Sequence, residues 1–180
     1  MARKIITNIS TNQIEQTIEY LYEYSKRLTD RCEQFVNELA DIGIEVARAN
    51  LTPIVNDTDG HTIDFSSLVL FSKDVSFDTE SATCIIVPES HVFATEWQSG
   101  SAVVDPLLMY EFGSGMYAVD GHRGTFPNQK YAFDPKGWYW KDLSGVTHRS
   151  FGIQPTRPLF KAKEEMVQQI HDVAVRVFEL

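Results

Sequence analysis

One apolar stripe dominates the first quarter of the sequence. Charged residues occupy the other faces of the same segment, and Asn12 with Glu15 resembles a capping box at its start. This alternation of three- and four-residue steps, broken only at Ser25, predicts one continuous helix over about residues 11–47. The stripe consists of Ile14, Ile18, Leu21, Leu28, Cys32, Phe35, Leu39, Ile42 and Val46.

The length of this predicted helix limits the arrangements open to it. At 1.5 Å per residue it would measure roughly 54 Å, more than a compact domain of this size needs. We therefore expect it to pack along a sheet or to reach a neighbouring subunit. A coiled coil is the alternative, although the heptad pattern lasts only about four repeats.

The middle of the chain has the residue composition typical of β-strands. Residues 63–73, 81–88 and 91–97 are rich in β-branched and aromatic side chains, and the polar residues 73–81 look like a connection between paired strands. These runs predict a small, mostly antiparallel sheet of three or four strands. The helices can bury their apolar faces against such a sheet.

The last third combines a loop, a hairpin and a helix. Residues 119–135 lack periodicity and predict a long loop, a common site of function. Residues 137–149 predict an aromatic hairpin that turns at Ser144-Gly145. An apolar stripe over residues 158–178, begun by Pro158, predicts a C-terminal helix.

These elements predict an α+β fold in a single domain over residues 1–180. In this fold the long N-terminal helix and the C-terminal helix pack on the small sheet, and the long loop and aromatic hairpin complete the domain. We divide it into a helix region at 1–50, a sheet region at 51–104, a loop and hairpin region at 105–158 and a final helix at 159–180.

Charge and composition exclude several classes of protein. Sixteen basic against twenty-five acidic residues give a net charge of −9, the opposite of what a protein that grips nucleic-acid phosphates carries. Charges interrupt every apolar run before the roughly 18 residues needed to span a bilayer, so we expect no membrane partner. Cys32 and Cys84 alone cannot build a disulfide-stapled scaffold.

The residues that could carry chemistry form no recognisable catalytic pattern. Asp120, His122 and Asp134 could meet a metal ion in the long loop, and a hydrolase could add His148, but no zinc-type spacing is present. Nothing in the sequence brings Glu111 near another carboxylate. We therefore predict that the chain is not an enzyme and needs no metal or cofactor.

Three consecutive aromatic residues stand in the hairpin: Trp138, Tyr139 and Trp140. Side chains alternate along a strand, so one face presents aromatic groups outward unless something covers them. A loop of the same chain could cover them. A neighbouring subunit is the other candidate, and on that interpretation these residues form a subunit interface.

Residues 107–115, L-L-M-Y-E-F-G-S-G, resemble the signature of a known protein family. The segment resembles the E-F-G-T-G signature of the minor capsid, or head–tail connector, proteins of long-tailed bacteriophages, with Glu111, Phe112, Gly113 and Gly115 in the matching positions. In that family an irregular loop, a G-W hairpin and a proline-led C-terminal helix follow. Here the corresponding residues are Gly121-His122, Gly137-Trp138-Tyr139-Trp140 and the segment 152–162.

The resemblance implies a structural virion protein in the phage neck, at the junction of head and tail. Such a protein is expected to assemble in the host cytoplasm into a ring of its own copies, a hexamer, and the ring lines the DNA channel. Its expected neighbours are head-completion or adaptor proteins and tail terminator or tube proteins. Genomic DNA passes through the ring without specific binding.

Other functions remain open at the level of the sequence. A tail terminator or tube-like protein has a similar helix-and-sheet plan, and a small metal-dependent hydrolase is a third interpretation. At Gly113 the sequence predicts the end of a short helix and a left-handed turn.

Overall fold

The computed structural model describes residues 11–55, 62–78, 81–91, 93–97, 100–118, 134–141 and 146–179. Three helices frame the fold: α1 (Thr11–Ala49), α2 (Pro106–Phe112) and α3 (Pro158–Phe178). The strands form antiparallel pairs, which are β1 (Ile54–Val55) with β2 (Thr62–Ile63), β3 (Val69–Phe77) with β4 (Ala82–Ser90), β5 (Phe93–Trp97) with β6 (Gly100–Val104), and β7 (Trp138–Lys141) with β8 (Thr147–Ser150).

This architecture confirms the predicted α+β class, including both long helices and the antiparallel strand pairing. The strands are organised differently from the expectation. Within the described ranges they form four separate two-stranded pairs, whereas we expected one sheet of three or four strands. The pairing of β7 with β8 confirms the aromatic hairpin, whose turn at Ser144-Gly145 lies outside the described residues.

The predicted connection at 73–81 is wrong for most of its length. Strand β3 continues to Phe77, and Asp78 closes the turn by accepting hydrogen bonds from the backbone N–H of Ser81 (2.6 Å) and from its hydroxyl (2.9 Å). The polar side chains of Lys73, Asp74 and Ser76 are exposed on the hairpin surface. A strand whose end lies in solvent has the polarity of a loop, which explains the wrong boundary.

Helix α3 runs antiparallel to the second half of α1. The Arg31 guanidinium donates to the carbonyl of Phe178 (3.0 Å), near the C-terminal end of α3, and Arg176 pairs with Glu38 (2.7 Å). At the other end of α3, Lys161 Nζ donates to Asn50 Oδ1 (2.7 Å). The contact with α3 therefore covers α1 only from about residue 31 onward.

The β3–β4 hairpin packs against the same half of α1. Arg48 donates to the carbonyl of Phe71 (3.2 Å), and Lys73 Nζ lies 2.7 Å from Asp41. The helices and the hairpin meet at Gly43, where an added Cβ would lie 2.7 Å from Met166 Sδ and 2.8 Å from Ile86 Cδ1. The buried core includes Ile44, Ala47, Leu51, Phe65, Val69, Phe71, Met109, Tyr110, Ala118, Ile153 and Ala162.

Two further findings concern membrane-spanning helices and the predicted long loop. Among the described residues no helix is both long and apolar enough to cross a membrane. The predicted long loop falls mostly on residues outside the description, and Asp120 and His122 are among them.

Candidate assembly surfaces

Asp105, two residues before the signature segment, caps helix α2. Its carboxylate accepts hydrogen bonds from the backbone N–H of Leu107 (3.0 Å) and Leu108 (3.4 Å), and the hydroxyl of Ser90 donates to it (2.6 Å). The cap thereby ties the end of β4 to the start of α2. Sequence reasoning missed this role, although an aspartate followed by Pro106 is a typical helix start.

Glu111 caps helix α3. Its carboxylate oxygens accept hydrogen bonds from the backbone N–H of Leu159 (2.9 Å) and Phe160 (3.2 Å), two of the groups that lack a partner in the first turn of a helix. The negative charge also lies at the positive end of the α3 dipole. The most conspicuous acidic residue of the signature therefore joins α2 to α3.

The glycines of the signature allow two backbone segments to cross in contact. The backbone N–H of Ser114 donates to the carbonyl of Ile153 (2.9 Å), and the N–H of Ile153 donates back to Ser114 (3.2 Å). At this crossing a Cβ on Gly115 would lie 2.0 Å from the carbonyl oxygen of Phe151, and one on Gly152 would lie 2.0 Å from that of Ser114.

The turn predicted at Gly113 is present, with a φ of 74° directly after α2. A Cβ at Gly113 would lie 2.6 Å from the carbonyl oxygen of Tyr117. We refer to residues 106–118 together with residues 150–158 as the junction.

The junction is interior structure, and little of it is available for contact. Met109, Tyr110 and Ser114 are fully buried, and Phe112 is half-buried against the core. Burial raises the pKa of Tyr110 to about 12. The backbone N–H groups of Thr156 and Arg157 both donate to the carbonyl of Tyr110.

The aromatic hairpin adjoins the junction. Tyr139 pairs with Arg149 across the strands, and its side chain is 42% exposed. The Arg149 guanidinium lies 5.7 Å from the centre of the Tyr139 ring and 4.8 Å from that of Phe151. On β8 the neighbouring His148 and Ser150 are buried, whereas Tyr139 and Arg149 place an aromatic ring beside a cation on the exposed face. The side chains of Trp138 and Trp140 lie outside the described part of the hairpin.

The first half of α1 is the most exposed apolar surface in the described part of the chain. We call residues 11–30 the arm; all of them are exposed except Thr17, which is half-buried. The stripe residues Ile14, Ile18, Leu21 and Leu28 are between 44% and 61% exposed. The expectation that the helix packs along the sheet therefore holds only for its second half.

The candidate metal ligands are dispersed or lie beyond the description. Asp134 Oδ1 accepts a hydrogen bond from the backbone N–H of Lys136 (2.9 Å), as in a turn, and His148 is buried on β8. In residues 11–55, 62–78, 81–91, 93–97, 100–118, 134–141 and 146–179, no group of three or more His, Cys, Asp or Glu side chains could hold a metal ion.

Comparison with known proteins gives no further assignment. No protein-family model matches the chain, and no curated protein or solved structure is significantly similar to it.

Proposed function

We propose that this chain is a structural subunit of the bacteriophage neck, where copies form a ring that joins the DNA-filled head to the tail. The ring would line the DNA channel and would contact head-completion or adaptor proteins on one side and tail terminator or tube proteins on the other. The proposal rests on the family resemblance of residues 105–180 and on the way in which the fold uses those residues.

The observation that carries the proposal is the convergence of the resembling motifs. The E-F-G-S-G segment, the end of the G-W hairpin and the segment 152–162 are far apart in sequence, yet all three meet in the junction. Gly115 crosses Gly152, Glu111 caps the helix that starts at Pro158, and a Cβ at Gly137 would lie 2.4 Å from the carbonyl oxygen of Ser150. Motifs that depend on one another in this way are expected to occur together in a family.

The aromatic hairpin is the proposed ring contact. It lies at an edge of the junction and exposes Tyr139 beside Arg149, two residue types that are enriched at protein interfaces. A stable contact between subunits needs about 800 Å² from each partner, so neighbouring residues must contribute as well.

The net charge suits a conduit for DNA. Six copies would carry 6 × (−9) = −54 formal charges, and a wall with more Asp and Glu than Lys and Arg would not retain a polyanion. We expect the lumen to be acidic, with a contribution from the predicted loop at 119–135. A basic inner wall, or tight binding of duplex DNA by the purified protein at physiological salt, would contradict this part of the proposal.

The test is to image the purified protein by electron microscopy and to measure its mass distribution over a range of concentrations. Closed rings of uniform size are expected. The variant Tyr139→Ala should keep its fold by circular dichroism and lose the rings, because Tyr139 is the aromatic residue that the described part of the hairpin exposes. Phe77→Ala, which removes an exposed aromatic ring from the end of β3, is the matched control and should keep them.

Two results would count against the proposal. If the protein forms no closed ring at any concentration, alone or with a partner neck protein, the assigned function is wrong. If rings form and survive Tyr139→Ala, the ring is retained but the hairpin is not its contact.

A further inference from the structure

We propose that two copies of this chain pair through the outer edge of β4, antiparallel and about a twofold axis at Cys84. Pairing would join two β3–β4 hairpins into one four-stranded antiparallel sheet. The inference goes beyond the proposed ring and does not depend on it. A twofold contact is saturated by two copies, so a ring would have to close through another surface.

The hydrogen bonds at the two ends of the β3–β4 hairpin define which backbone groups face outward. At the turn, the N–H of Asp78 donates to the carbonyl of Ser81 (3.0 Å), and at the other end the N–H of His91 donates to that of Leu68 (2.8 Å). Bonded and non-bonded pairs alternate along an antiparallel ladder. In the observed register, the even-numbered residues of β3 therefore bond to the odd-numbered residues of β4. The even-numbered residues of β4 direct their N–H and C=O groups away from β3.

The outward groups of β4 belong to Ala82, Cys84 and Ile86. In the part of the chain that the structure describes, these groups have no hydrogen-bond partner. The next outward position is Pro88, which has no N–H, so the free edge ends before it. The turn closed at Ser81 limits the other end. Residues 82–86 therefore form a free strand edge, and Cys84 is its midpoint.

The opposite edge of the hairpin, along β3, is partly covered. The Phe71 carbonyl points outward there and accepts a hydrogen bond from Arg48 (3.2 Å). Lys73 is the next outward position, and its cation is paired with Asp41 (2.7 Å). A covered carbonyl and a charged side chain both disfavour the addition of a strand. The free edge of β4 is therefore expected to pair with β4 of a second copy, and not with its β3.

The side chains along the free edge suit a second copy of the same strand. Residues 82–88, A-T-C-I-I-V-P, carry no charge, so two such edges place no like charges opposite each other. With Cys84 on the axis, Thr83 of each copy lies opposite Ile85 of the other. Ile85 is 56% exposed, and this cross-strand pair would cover it. The backbone groups of Ala82 and Ile86 meet in the same register, as β-augmentation requires.

A disulfide trap tests the contact and its register. The variants Thr83→Cys and Ile85→Cys are each made in a Cys32→Ser, Cys84→Ser background, which removes both native thiols. They are mixed, oxidised mildly at about 100 µM, where micromolar pairs are populated, and analysed on a non-reducing gel. Positions 83 and 85 of the two copies face each other at a Cα separation of about 4.5 Å, which a disulfide can bridge. The mixture should therefore give covalent dimers.

Each variant alone is the control for the register. Two thiols at position 83, or two at position 85, would have Cα atoms about 8 Å apart, beyond the reach of a disulfide. Each variant alone should therefore give at least tenfold less dimer than the mixture.

Proline substitutions distinguish the two edges of the hairpin. With Cys84→Pro in place of Cys84→Ser, the outward N–H at the axis is lost, and linking should fall at least tenfold. Val75→Pro is the matched control, because Val75 pairs with Cys84 and directs its N–H to the edge of β3, so linking should persist. Circular dichroism shows whether both variants fold. If a proline variant does not fold, the comparison of the mixture with the single variants decides the proposal.

The proposal is overturned if the mixture gives no covalent dimer, or if a single variant links as well as the mixture does. It is overturned equally if folded Cys84→Pro links normally, or if folded Val75→Pro loses linking, which would indicate that β3 is the paired edge. Rings seen by microscopy do not alter these outcomes, because the trap reports the β4 contact alone.

Discussion

The arm and the junction are opposite in almost every physical respect. In the junction, backbone segments cross in contact, helix ends are capped by side chains, and Met109 and Tyr110 are fully buried. In the arm, the helix satisfies its own backbone, and its side chains lie in solvent. The junction contains the E-F-G-S-G segment and its crossing partner at residues 151–153, whereas the arm has an ordinary amphipathic sequence.

The contrast teaches where contact surfaces should be sought in this protein. The residues that stand out in the sequence, Glu111, Gly113 and Gly115, hold the fold together and leave little surface for a partner. The arm is distinguished in the sequence only by the three- and four-residue spacing of its apolar residues. It nevertheless exposes more apolar surface than the junction does. Substitutions in the junction should therefore change stability, and substitutions in the arm should change association.

The largest effect is expected at the crossing of the two glycines. Gly152→Ala places a methyl group 2.0 Å from the carbonyl oxygen of Ser114 at a φ of 133°, so either the crossing opens or the backbone is strained. We expect a loss of about 4 kcal/mol or more, seen as a fall in melting temperature of roughly 8–16 °C. Gly113→Val should act in the same direction, because a β-branched residue is poorly tolerated at positive φ.

Met116→Ala is the control for these variants. Met116 belongs to the same short turn, and its side chain is 53% exposed, so its truncation should change the melting temperature little. An unchanged melt for Gly152→Ala would mean that the two segments do not cross as described.

A matched pair of isoleucines compares the two halves of α1 directly. Ile44 is 7% exposed in the packed half, and Ile44→Ala should cost about 2–5 kcal/mol in the free energy of unfolding. Ile18 lies in the arm, and Ile18→Ala should cost about 0.5 kcal/mol or less at low protein concentration. Denaturant unfolding measures both.

The same pair reports association as the protein concentration rises. If the arm contacts a neighbouring subunit, the wild-type protein becomes more stable at high concentration and Ile18→Ala loses that gain. Equal costs for both isoleucines in dilute solution would show that the arm packs on its own domain.

A smaller effect is expected at the cap of α3. Glu111→Ala removes the acceptor for the backbone N–H groups of Leu159 and Phe160 and should cost about 2 kcal/mol in the free energy of unfolding. Glu111→Gln keeps an acceptor oxygen and should cost less. Glu164→Ala, an exposed carboxylate farther along the helix, should be close to neutral, and a loss equal to that of Glu111→Ala would contradict the capping role.

The smallest effect concerns the ion pair between Glu38, in the packed half of α1, and Arg176 on α3. Hydrogen bonds from Arg176, and then from Gln34, hold the pKa of Glu38 below its usual value of 4.5. Its contribution to stability is therefore present above pH 4.5 and is lost as the pH falls through the lowered pKa of the folded state. The exposed pair should be worth about 0.5 kcal/mol or less.

The measurement compares the wild-type protein with Glu38→Gln by denaturant unfolding from pH 7 down to pH 3. The difference in the free energy of unfolding should be largest near neutral pH and should vanish under acid. In an Arg176→Gln background the difference should be small at every pH. A difference that grows on acidification would contradict the assigned pairing.

Much of this fold could be predicted from the sequence, because it depends on interactions between residues that are close together in the chain. The three- and four-residue period predicted α1 and α3, alternation and turn residues predicted the β7–β8 hairpin, and the glycine after Phe112 predicted a left-handed turn. Each of these features depends on residues that are neighbours in the chain, so the sequence contains the relevant interactions. The end of β3 was predicted wrongly because exposed strand residues have the composition of a loop.

Tertiary structure alone decided what each predicted surface contacts. The stripe of α1 has one period from Ile14 to Val46, yet only its second half is covered, because α3 and the β3–β4 hairpin are too short to follow the rest. Glu111 became a helix cap because folding brings it to a backbone that begins 48 residues later. A sequence pattern determines which face of an element is apolar, whereas the contact made by that face depends on where distant segments meet.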